Sequence, residues 1–110
     1  MSQGAALVWC PFPDIEAAQD CAAQLLGERL IACANILPAM QSVYEWEDAI
    51  ERGEEVGVLF KSTADRLDRL TQRLGELHPY DTPAVLGWRC DSAHPATLGW
   101  LSQTLDQGAQ

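Results

Sequence analysis

Two side chains in this sequence carry the lone pairs of transition-metal ligands and stand at the ends of apolar segments. Cys10 closes AALVWC at residues 5–10, and His78 opens HPYDTP at residues 78–83. A thiolate and an imidazole suit copper or zinc by ligand softness. Two protein ligands make an incomplete site, so Asp81, water or another subunit has to complete it. The plainer alternative is a histidine capping the last helical carbonyls beside a core cysteine. Cys33, within ACAN, becomes a nucleophile only where Lys61 or His78 lowers its pKa; otherwise it is a buried strand cysteine. Lys61 is the sole lysine and directly precedes Ser62 and Thr63 at the expected start of a helix. That combination can hold an anion such as phosphate or a carboxylate; the alternative is a solvated lysine paired with an acid. The four cysteines form no CxxC and no zinc pattern. Neither a hydrolase-type Cys/His/Asp motif nor a serine elbow is visible.

The elements that must position these groups follow from apolar periodicity. AALVWC reads as a buried strand ending at Pro11 and Pro13. Asp14 caps a helix whose stripe is Ile15, Ala18, Ala22, Leu25 and Leu26, with the stem of Arg29 in its last position. Residues 30–46 read as extended, with Pro38 at an edge or bulge because it cannot donate to a ladder. A polar turn region at 47–55 leads into the strand VGVLFK at 56–61, which makes a long hairpin. Tyr44 and Trp46 alternate about Glu45, so both rings face one side of that hairpin. Ser62 to Asp65 resembles a capping box for an amphipathic helix carrying Leu67, Leu70, Leu74 and Leu77. PAVLGW at 83–88 is a last short strand, and Pro95 opens a terminal helix with Leu98, Leu101 and Leu105. The order β-α-β-β-α-β-α predicts an α+β fold, the ferredoxin-like split βαβ plus a C-terminal helix. No repeat, linker or low-complexity tract divides residues 1–110, so a single domain is expected.

Composition narrows the function classes. With 110 residues, 47% apolar and 21% charged, the chain can bury a core without staples. A net charge of −9, from 16 acidic against 7 basic residues, offers no basic patch, so nucleic acid is not an expected partner. Apolar runs fall short of the ~20 residues that span a bilayer, so no membrane partner is expected either. The first residues lack a signal-peptide pattern, which points to a cytoplasmic protein.

Five segments, ERLIACANILP, SVYEWEDAIE, EVGVLFKS, HPYDTPAV and LGWL, together resemble the CutA divalent-cation tolerance proteins in order and spacing. The resemblance covers nearly the whole chain. It implies a ferredoxin-like protomer in a tight homotrimer, with the long hairpin, Tyr44 and Trp46 included, packed on neighbouring subunits. It also implies a link to copper and other divalent-metal tolerance, through metal-ion binding without catalytic turnover. The family's proposed copper ligands fall at Cys10 and at positions 77 and 78, of which Cys10 and His78 carry over while position 77 is Leu77. Asp81 stands where Glu is frequent, and Asp48 where the hairpin turn usually has Gly. In the family's fold Cys33, Lys61 and Tyr80 lie near one another and line an intersubunit cleft. Two alternatives stand beside this reading: a trimeric regulatory module taking a small anionic ligand in such clefts, and a cysteine-dependent enzyme.

Overall fold

The computed structural model describes residues 4–106. Strand β1 (Ala5–Phe12) leads to helix α1 (Ile15–Gly27), then to the hairpin of β2 (Cys33–Trp46) and β3 (Ala49–Thr63). Helix α2 (Leu67–Leu77), short strand β4 (Leu86–Arg89) and helix α3 (Pro95–Asp106) complete the chain. The four strands form one antiparallel sheet in the order β2-β3-β1-β4, the expected split βαβ arrangement.

Strand alternation separates the sheet into two faces. Ala6, Val8, Cys10 and Phe12 of β1 and Val56, Val58 and Phe60 of β3 are buried in one cluster. The same cluster takes Ala18, Cys21, Ala22 and Leu25 from α1 and Leu67, Leu70 and Leu74 from α2. The opposite face bears Leu7, Trp9, Leu59, Lys61, Cys33 and Leu37, in register with one another and with no helix of this core upon them. Helix α3 packs at one end, where Leu101 and Leu105 meet Ala5 and Ala32. Arg66 ties it down, donating to Leu105 O at 3.3 Å and pairing with Asp106 at 3.1 Å. No helix among the described residues is long and apolar enough to cross a membrane.

The hairpin departs from the expected one in ways that matter for the site. Only Glu47 and Asp48 turn; β3 begins at Ala49, so the polar stretch 49–55 is strand, laddered residue by residue to 40–46. Glu47 and Asp48 have φ of 49° and 66°, the left-handed pair of a two-residue type I′ turn. Pro38 does sit at a bulge. Leu37 faces Gly57 and Met40 faces Glu55, leaving Pro38 and Ala39 against Val56 alone, with Ala39 at φ 60°. The extra residue reverses the alternation, so Met40, Ser42, Tyr44 and Trp46 continue the face begun by Cys33, Asn35 and Leu37.

Four local readings are corrected. Ser62 caps nothing: it is buried and donates to Leu30 O at 2.7 Å, while Thr63 precedes a short 3₁₀ turn without a capping bond. Arg29 lies beyond α1 at φ 60°, where its N–H bonds Leu26 O and that of Leu30 bonds Leu25 O, a Schellman closure of the helix. Ile15 and Leu26 are exposed rather than part of the buried stripe, whose fourth member is Cys21. The last strand is also displaced, running from Leu86 to Arg89 instead of over 83–88.

Candidate functional site

His78 is the residue after α2. Its N–H bonds Leu74 O at 2.9 Å, and Pro79 drives its backbone to an extended conformation (ψ 142°). That conformation turns the ring into the core edge, 4.4 Å from Phe12 and 4.8 Å from Tyr80 between ring centroids. The Tyr80 N–H donates to Nδ1 at 3.1 Å, so Nε2 carries the ring proton and donates to Pro11 O at 2.7 Å. Both nitrogens are therefore committed within the subunit, and neither presents a lone pair outward. The ring does not cap helix carbonyls, as the plainer sequence reading had it; it clamps the HPYDTP turn to the end of β1.

Cys10 points into the same core with no exposed surface. Burial, then the nearby Cys21 and Glu55, pushes its thiol up to about 12, so the group at neutral pH is a thiol and not a thiolate. Leu77 packs on the core beside them. Asp81 is exposed and lines a pocket that neither Cys10 nor His78 enters. Among the described residues no three His, Cys, Asp or Glu side chains group so as to hold a metal ion. As built in one subunit, Cys10, His78 and Asp81 do not fit copper.

The second expected set is divided. Lys61 and Cys33 are directly opposed across β3 and β2, on the sheet face away from the helices. Cys33 is half-buried there rather than in the core, its Sγ 4.0 Å from Asn35 Oδ1. Ser62 faces the other way and Thr63 accepts from Arg66 at 2.9 Å, so Lys61 has no helix-start anion nest beside it. Tyr80 is elsewhere: its hydroxyl donates to Glu55 Oε2 at 3.0 Å, six residues along β3 from Lys61, or about 20 Å of strand.

What the fold does assemble is a pocket of about 530 Å³ between the outer part of the hairpin and the HPYDTP turn. Tyr44, Trp46 and Tyr80 form its aromatic walls, and Glu51, Glu55 and Asp81 its polar ones. Tyr80's phenol is held up to about 12, by burial first and then by its bond to Glu55 and the charges around it. Glu51 and Glu55 were not legible as site residues. The signal lay in continuing β3 back to Ala49, which places both on the face of Tyr44 (Tyr44 opposite Glu51, Met40 opposite Glu55).

The comparisons agree with the architecture. The family described as CutA1 divalent ion tolerance protein matches residues 6–104. The divalent-cation tolerance protein CutA of Pyrococcus horikoshii is 43% identical over 95 residues, covering 86% of this chain and 92% of that one. Its counterpart in Yersinia pestis is 41% identical over 101 residues, 92% of this chain and 85% of that one. Among solved structures, CutA1 of Ehrlichia chaffeensis superposes with a TM-score of 0.90 at 33% identity, over 96% of this chain and 97% of that one. A protein of Archaeoglobus fulgidus described as a periplasmic divalent cation tolerance protein gives 0.86 at 26% identity, over 92% and 98%. Sequence and fold converge over almost the full length: this chain belongs to the CutA1 divalent ion tolerance family.

Proposed function

We propose that this chain acts in divalent-metal tolerance, copper included, as a homotrimer that binds and does not turn over a substrate. One observation carries the assembly. Of β3, only Val56–Thr63 pairs with β1, so among the described residues the ribbon from Met40 to Glu55 has no strand partner but itself. A free two-stranded ribbon is marginal in water, yet this one exposes large apolar groups on both faces. Tyr44 (47% exposed) and Trp46 (64%) stand on one face, Val43 (67%) and Ile50 (72%) on the other. Further along the sheet Leu37, Leu86 and Trp88 are exposed as well. Such a surface is the kind that associating proteins cover, and the number three is what the family resemblance implies.

Direct metal binding by Cys10, His78 and Asp81 enters this reading only with a rearrangement. His78 has to release Pro11 or Tyr80, and Cys10 has to be uncovered and deprotonated. A cleft of Cys33, Lys61 and Tyr80 likewise requires Tyr80 from a second copy. The cytoplasm is the proposed compartment, on four cysteines that are all free. Fractionation of the native host tests that placement, which the name of the Archaeoglobus relative makes worth doing. The functional test is complementation. A host lacking its own family member, grown in rising copper, should regain tolerance with this chain and lose it again with Val43→Glu/Ile50→Glu. No gain from the wild-type chain, at matched expression, would overturn the reading.

A further inference from the structure

We propose that helix α3 is a strap that opens from the subunit as a unit while the sheet and the other two helices stay folded. The helix has 12 residues, a length at which an isolated helix is marginal in water, so it stands only while docked. Its apolar seat is small and separate from the main core. Leu101 and Leu105 bury against Ala5 and Ala32, with Cys90, Ala93 and Leu98 at the edge. Residues 91–94, which join the helix to β4, have no regular structure and are mostly exposed, and they form the hinge. None of the residues on which the assembly reading rests belongs to α3, so the strap does not depend on that reading.

The catch for the far end is built into the rest of the subunit. Helix α3 has no basic residue in its last turn to meet its unpaired C-terminal carbonyls. Two arginines from other segments meet them instead. Arg66 divides its guanidinium between the two parts. Its Nε donates to Arg29 O at 3.0 Å and its Nη1 to Thr63 Oγ1 at 2.9 Å, both outside the strap. Its Nη2 reaches Leu105 O at 3.3 Å and Asp106 Oδ1 at 3.1 Å, both on the strap. The first two bonds do not involve α3, so the fork stays aimed when the strap leaves. Arg29 adds a bond from Nη1 to Thr104 O at 3.4 Å. It does so from φ 60°, the helix-closing position that glycine takes without steric penalty. Opening uncovers Ala5, Ala32 and the partly buried Cys90. Ala32 directly precedes β2 and bonds Lys61 O through its N–H, so the strap governs access to the sheet end where β2 begins.

Amide hydrogen exchange of the full chain, in whatever assembly it adopts, tests this residue by residue. Amides at 101–105 should be protected about a hundredfold less than those of the ladder between β1 and β3. Leu105→Ala should lower the strap's protection about thirtyfold further and leave the ladder unchanged. Arg29→Gly separates the catch from general damage, because glycine suits that backbone position. The strap should lose about threefold protection there, while the ladder keeps its own or gains. Strap and ladder protected alike, through this subunit's contacts or a neighbour's, would overturn the proposal. So would a loss in Leu105→Ala that the ladder shares equally, or an Arg29→Gly strap protected as well as the wild type. Exchange of 101–105 at the rate of an unstructured chain would mean that no strap is docked, which overturns it equally.

Discussion

Replacing His78 by alanine should unfold the protein more readily before it says anything about metal. The ring is buried, with 7% of its surface exposed, and packs between Phe12 and Tyr80. Removing it deletes packing worth about 2 kcal/mol, on the scale of large-to-alanine changes at a partly relaxing site. It also deletes two hydrogen bonds, to Pro11 O and from the Tyr80 N–H, each worth about 1 kcal/mol. The total is about 3–4 kcal/mol, a large share of the 5–15 kcal/mol that holds a typical domain. Urea titrations followed by tryptophan fluorescence and far-ultraviolet circular dichroism measure it, at a fixed protomer concentration because association adds to apparent stability. His78→Gln, which keeps a donor and an acceptor, should recover part of the loss. A His78→Ala variant within about 0.5 kcal/mol of wild type would refute the reasoning. It would show that the two bonds do not clamp the turn, and would restore His78 as a free ligand.

Three further outcomes are expected. Added in small amounts, copper(II) should broaden the NMR signals of exposed His94, whose Nδ1 alone is engaged (by the Ala96 N–H), before those of His78; the reverse order would contradict the site geometry. Cys10 keeps its proton to about 12 when folded, against 9.0 for the free group. The unfolded chain thus loses that proton first as pH rises, and stability should be whole below pH 9 and fall progressively towards 12. Urea midpoints across that window should decline less steeply in Cys10→Ala, and equal slopes would remove Cys10 as the cause. Asp48 holds φ 66° in the type I′ turn, where glycine meets no steric penalty. Asp48→Gly should therefore raise stability by about 0.5–1 kcal/mol, measured by thermal or urea midpoint, and a lower midpoint would count against the turn assignment.

Where periodicity decides an element, the sequence was sufficient. Leu67, Leu70 and Leu74 mark α2, and AALVWC marks β1, because burial of one stripe or one face leaves little choice. The first half of β3 was missed because its ladder is satisfied by β2 and not by the core, so nothing in AIERGEE had to be apolar. The bulge at Pro38 was foreseen, but its consequence was not. One extra residue moves Tyr44 and Trp46 onto the face of Glu51 and Glu55 and so creates the pocket. The metal pair illustrates the same limit from the other side. Residue type correctly marks Cys10 and His78 as chemically able. Their roles are decided by a carbonyl 67 positions from the histidine and by complete burial of the sulfur, neither of which local spacing encodes.

The reading of this chain as an assembling member of its family rests on the unpartnered hairpin, and sedimentation equilibrium of the full chain tests it most directly. Three copies of a 12.1 kDa chain should give a single species of about 36 kDa. That species should persist at micromolar protomer concentration and be broken by Val43→Glu/Ile50→Glu. A well-folded species of 12.1 kDa across that range would contradict it.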